Sequence, residues 1–215
     1  MSAVSHSAYE TLRTETLSAT VPWVGSDTFA QVASWAIWAD QTSADTGWSR
    51  DMRPLTWDFL TGRLHNDVVF VALNKGTNPA DLSIADWSNF HTGHADYKLA
   101  RAVDQPGVRE VLGGAYITDF FKGLPTPTSA ALERYLDIQD EGTRGRTVDA
   151  MVALLERELA ILGCEDPLLV GIGRDAQHWL RQRMGHYRLA EVTHYAHAIG
   201  TEEYAEELAE VAELV

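Results

Sequence analysis

The chain has 215 residues, 45% of them hydrophobic, and its 17 basic and 31 acidic residues give a formal net charge of −14. That length and composition suit one buried core, and no run approaches the roughly 20 apolar residues of a membrane span. The acidic balance argues against a general polyanion-binding surface, because neutralising phosphates supplies most of the non-specific affinity for nucleic acid. The first ten residues lack the basic, apolar and small-residue order of a secretory signal, so a cytoplasmic protein is expected. The single cysteine, Cys164, follows an apolar helical pattern and is expected to be an inert, buried thiol.

In chain order, residues 5–18, 27–39 and 54–62 read as helices, with Ser26 or Asp27 and Pro54 as start signals. This N-terminal layer, residues 1–64, is rich in tryptophan (Trp35, Trp38, Trp48, Trp57), more often a core device than a base-stacking platform. Residues 67–73, DVVFVAL, form a continuous apolar, β-branched run that suits a strand covered on both faces. Residues 114–118, 167–172 and 189–195 share that character. Helical patterns fall at 95–103, 129–137, 146–162, 175–184 and 201–215, and the polar, glycine-bearing stretch 137–146 reads as an exposed loop.

Strands alternating with helices require crossover connections and therefore predict a parallel sheet. The expectation is one α/β domain over residues 1–215, a three-layer α/β/α arrangement with four central parallel strands in residues 65–200. The closing helix, residues 201–215, has six glutamates and no basic residue, and reads as a solvated acidic face. A local basic strip is expected at Arg174, Arg181, Arg183 and Arg188. In open sheets of this kind ligands bind beyond the carboxyl ends of the strands. That rule points to the loops at 74–79, 119–123, 173–174 and 194–200.

Each loop carries candidate chemistry beside a plain structural role. Asn74 and Gly76 leave the first strand, where an amide can hold a water or a base edge; the same residues also make an ordinary Asx-type turn. Asp119 can accept hydrogen bonds from a base and Lys122 can meet an anion, or the two can pair with each other. Gly173, Arg174 and Asp175 open a helix after a strand, but Ala176 and Gln177 stand where a dinucleotide motif would place its third glycine. His194, just past the last strand, can donate to a developing anion. The spacings of His91 with His94 and of His194 with His197 do not match a helical zinc pair, so neither metal nor cofactor is expected.

Taken in order over residues 67–199, these strand ends resemble the uracil-DNA glycosylase superfamily. ALNKG is similar to the family's first active-site motif, with Asn74 and Gly76 matching, while Lys75 and Ala72 replace a proline and a glycine. NFHTGHADYKL lies where the family places an aromatic that stacks on the extruded base, here Phe90. YITDFF resembles the strand whose end reads the base edge, with Asp119 where many members carry Asn. VGIGRDAQHWL is similar to a further strand and helix start, and HYAHA takes the place of the second motif, with His194 matching its histidine and Tyr195–Ala198 departing from the usual Pro-Ser.

The resemblance implies hydrolysis of the N-glycosidic bond of uracil or another modified base, flipped or in single-stranded DNA. Asn74 and His194 would act on the reacting atoms, and Gly76, Phe90, Asp119 and Lys122 would bind substrate. The missing Pro-Ser and the acidic charge support a second expectation, a non-catalytic domain that binds a base, nucleotide or partner protein.

Overall fold

The computed structural model describes residues 2–38, 55–74, 85–91, 95–124, 126 and 128–215. Among them the N-terminal part forms α1 (His6–Thr14), α2 (Leu17–Thr20), α3 (Phe29–Val32), β1 (Ser34–Trp35) and α4 (Trp57–Leu60). The central part forms β2 (Val68–Asn74), α5 (Asp96–Val103), α6 (Arg109–Leu112), β3 (Tyr116–Phe121), α7 (Ser129–Asp137) and α8 (Glu141–Leu162). The chain continues through β4 (Leu168–Ile172), α9 (Arg174–Arg183), β5 (Arg188–Val192) and α10 (Thr201–Ala212).

Among the described residues the sheet has five strands, in the order β1-β3-β2-β4-β5. β3, β2, β4 and β5 run parallel, as their alternation with helices requires, and β1 is antiparallel to β3. Alternation along each strand sorts the side chains into two cores. Val69, Val71 and Leu169 meet Leu12 of α1, Leu155 of α8 and Leu180 of α9. Val68, Phe70, Val170 and Ile172 meet Leu99 of α5 and Tyr204 and Leu208 of α10. The result is helix, sheet and helix in three layers. Among the described residues no helix is long and apolar enough to cross a membrane.

Two expectations are corrected. The helix expected over 27–39 stops at Val32, and Ser34–Trp35 pairs with Ile117 and Tyr116 as a fifth strand, so the four-strand count was one short. The apolar run there satisfies either period, and pairing with the open edge of β3 decides between them. The stretch 137–146 is not a loop, because α8 begins at Glu141. Asp140 caps it by accepting from the Thr143 amide at 3.0 Å, and the polarity that suggested a loop belongs to an exposed first turn.

Trp35 and Trp87 are fully buried, in keeping with a core role, whereas Trp23 is 53% exposed and Trp48 lies outside the described residues. The Cys164 thiol is pushed up to about 12 by burial, which leaves it protonated and unreactive at neutral pH. Within the expected basic strip, Arg181 pairs with Glu191 and Arg183 with Asp149, while Arg188 donates to the Leu214 carbonyl.

On the α8 side of β3 lies a buried polar cluster. Glu158 Oε1 accepts from the Tyr116 hydroxyl at 2.9 Å and the Thr118 hydroxyl at 2.8 Å. Its Oε2 sits 2.8 Å from the Lys122 ammonium, and both side chains are wholly shielded from solvent. Burial pushes the Glu158 carboxyl upward against the pull of Lys122 and the two hydroxyls. Lys122→Met, which strands a buried carboxylate, should lower stability by about 3–5 kcal/mol in urea denaturation, and adding Glu158→Gln should restore part of it.

Candidate active site

A cleft of about 660 Å³ opens at the carboxyl ends of the parallel strands. It lies where the chain order reverses across the sheet, β3 on one side of β2 and β4 on the other. Asn74, Phe90, Asp119 and His194, drawn from four separate segments, all line it.

Asn74 closes β2. Its amide nitrogen donates to the Thr126 carbonyl at 2.6 Å. A carbonyl can only accept, so that bond fixes which end of the amide is the nitrogen, and Asn74 itself lines the cleft. Gly76 lies outside the described residues.

Phe90 belongs to a turn that no local preference favours. Both Trp87 and Phe90 hold positive φ, 63° and 64°, a conformation costing on the order of 1–3 kcal/mol each for bulky residues. The turn is stapled to the N-terminal layer. The Trp87 amide donates to the Ala30 carbonyl at 2.6 Å and the Ser34 hydroxyl donates to the Trp87 carbonyl at 2.8 Å. The Trp87 ring packs 5.3 Å from that of Trp35. Asn89 donates to the Val32 carbonyl at 2.8 Å and, through the same nitrogen, to Asp119 Oδ2 at 2.9 Å. Asn89 therefore connects the strained turn to the carboxylate beside it.

Asp119 is 1% exposed. Alternation along β3 turns Tyr116 and Thr118 toward α8 and Asp119 to the opposite face, into the cleft. Lys122 is corrected: its ammonium is held by Glu158 and donates to the Asp119 carbonyl, so it braces the end of β3 from behind and does not line the cleft. Among the described residues, the arginine that lines it is Arg174, at the start of α9.

His194 follows β5 and packs on Gly173. Gly173 has φ +83° and ψ 155°, and a Cβ there would lie 3.0 Å from His194 Cβ, so both backbone and space call for glycine. His194 Nδ1 accepts from the Ala196 amide at 3.1 Å, which places the proton of the neutral ring on Nε2. Burial first, and then the neighbouring His197, hold its pKa below the ordinary imidazole value. The loop is anchored from two sides. Lys98 of α5 donates to the His197 and Ile199 carbonyls, each at 3.1 Å. Glu207 of α10 accepts from the Thr193 amide at 2.6 Å and its hydroxyl at 2.8 Å.

Sequence reasoning passed over Asn89, Asp96 and Glu207. Asp96, a buried residue at the start of α5, lines the cleft and takes a hydrogen bond from the Tyr195 hydroxyl. An acidic first-turn residue is ordinary, and only its burial against the last loop marks it. His91, considered for a metal, is buried with Nε2 3.3 Å from the Trp35 carbonyl, and His94 lies outside the described residues.

The cleft brings together an amide at Asn74, an aromatic ring at Phe90, a buried carboxyl at Asp119 and an imidazole with its donor on Nε2 at His194. His194 should titrate by NMR below about 6.5, the unperturbed value, and His197→Ala should raise its midpoint. With its folded pKa under the unfolded one, its stability contribution is complete above about 6.5 and is lost as pH falls through the folded value. Gly173→Ala should cost about 1–3 kcal/mol in thermal or urea unfolding and should shift the His194 ring resonances. Comparison with models of known protein families gives no match, and comparison with curated proteins gives none either.

Proposed function

We propose that the chain is a uracil-DNA glycosylase-like hydrolase that takes a single base into this cleft and cleaves its N-glycosidic bond. The observation that carries the proposal is the meeting of Asn74, Phe90, Asp119 and His194 in one cleft. Phe90 stacks on the base and Asp119 meets its edge. The Asn74 amide oxygen accepts a hydrogen bond from a water, orienting that water's oxygen lone pair toward the anomeric carbon. As the carbon–nitrogen bond breaks, its electron pair passes to the base, and His194 Nε2–H donates to the charge that develops there. Water's oxygen remains on the sugar, and one of its protons neutralises the departing base. A neutral imidazole with its proton on Nε2 suits that work, since it donates without first needing a proton from solvent.

The net charge of −14 favours a single-stranded or already extruded base over duplex DNA, where unstacking must be offset by backbone contacts. Binding without turnover is the competing reading, favoured by an amide rather than a carboxylate at Asn74. Release of free base from single-stranded oligonucleotides carrying uracil or other modified bases separates the two. The expected result is release that Asn74→Ala and His194→Ala each lower by about 100-fold or more. Retained base binding with no release on any substrate would leave a binding domain.

A further inference from the structure

A second hollow, of about 300 Å³, opens at the opposite end of the sheet from the cleft. Ala36 and Gly113 line it, and both sit at the amino end of β3, where the Ala36 amide donates to the Ala115 carbonyl at 2.8 Å. That volume is at the lower bound of the roughly 300–1,000 Å³ of small-molecule sites. Its floor is apolar core, because Ala36, Ala100 and Val103 are all buried. Two of those three are alanines, whose short side chains leave the space open. Trp38 and Phe59 add aromatic wall.

Charge sets this hollow apart from the surface around it. Among the described residues its charged lining consists of Arg63, Arg109 and Asp104. Arg109 donates to Asp104 at 2.9 Å, so those two charges offset each other. Arg63 has no carboxylate partner among the described residues, and its guanidinium lies over the Phe59 ring, 4.0 Å from the centroid. Contact through the π face leaves the in-plane N–H donors of a guanidinium open to an acceptor. Two arginines against one aspartate leave the lining net positive, in a chain of net charge −14. We infer that this hollow binds a small carboxylate carried on an aromatic or branched apolar body, at a site separate from the cleft and independent of the base-hydrolase reading. A carboxylate is the planar anion that a guanidinium meets with two parallel N–H donors. The acid group meets Arg63 at the exposed rim, and the apolar body covers Ala100 and Val103 against the Trp38 ring.

The test titrates the full chain at neutral pH with phenylacetate and with its uncharged counterpart phenylacetamide, following the Trp38 indole N–H and the His194 ring by NMR. The parent should bind phenylacetate about fivefold or more tighter than phenylacetamide, with shifts at Trp38 and none at His194. Arg63→Gln, which alters an exposed side chain, should bring the two probes to within about twofold of each other. Equal binding of both probes by the parent would overturn the inference, as would no binding of phenylacetate at millimolar concentration. A titration that moves His194 and leaves Trp38 unmoved would place the acid in the cleft and remove the second site. A preference for phenylacetate that survives unchanged in Arg63→Gln would also count against it. The parent comparison of acid with amide stands without the variant.

Discussion

A charged pair wholly removed from water lies under the working end of β3, and its arrangement governs what surrounds it. Desolvating an ammonium and a carboxylate costs several kcal/mol per ion unless the geometry returns it. Here Glu158 is met by Lys122, Tyr116 and Thr118 together. Two of those partners sit on alternate residues of one strand and the third just beyond it, so the cluster fixes the face that β3 turns toward α8. The opposite face then follows, and with it the direction of Asp119. Lys122 adds a hydrogen bond to the Asp119 carbonyl, so the backbone that carries Asp119 to the cleft is clamped by the ion pair behind it.

The other wall of the cleft is made by strain rather than by desolvation. Phe90 and Trp87 hold positive φ, and such backbone persists only where its surroundings over-determine it. Those surroundings are α3 and β1, which take hydrogen bonds from Trp87 and Asn89 and give one through Ser34. The tryptophan-rich N-terminal layer thus has a task beyond filling a core: it sets the turn on which the aromatic wall stands. The acidic α10 similarly does more than face solvent. Tyr204, Leu208 and Val211 bury one side of it, and Glu207 holds Thr193 immediately before His194.

The cleft carries both hydrogen-bonding polarities. The His194 imidazole is kept neutral by burial and by His197, with its donor nitrogen defined by the Ala196 amide. Asp96, Asp119 and Asp175 line the same cleft, and Asn89 is oriented to support Asp119. Under the proposed function that pairing of donor and acceptors would orient a flat base, with Phe90 against its face.

The sequence by itself determined the parallel strands, because continuous apolar runs such as 67–73 demand cover on both faces and alternate with crossover-length helices. It also pointed to the carboxyl ends of those strands, where the structure opens a cleft, since open parallel sheets leave their crevice there. It left β1 unread, because the run around Ser34–Trp35 fits a helix as well as a strand until the edge of β3 is present to pair with it. It could not separate Lys122 from Asp119, three residues apart, because only the register of β3 against α8 sends one inward to Glu158 and the other into the cleft. Nor could it bring Asn89, Asp96 and Glu207 to the site, each being an ordinary polar residue in local context. Tertiary structure decided those roles, because burial and hydrogen-bond partners belong to the packing of distant segments rather than to any stretch of chain read alone.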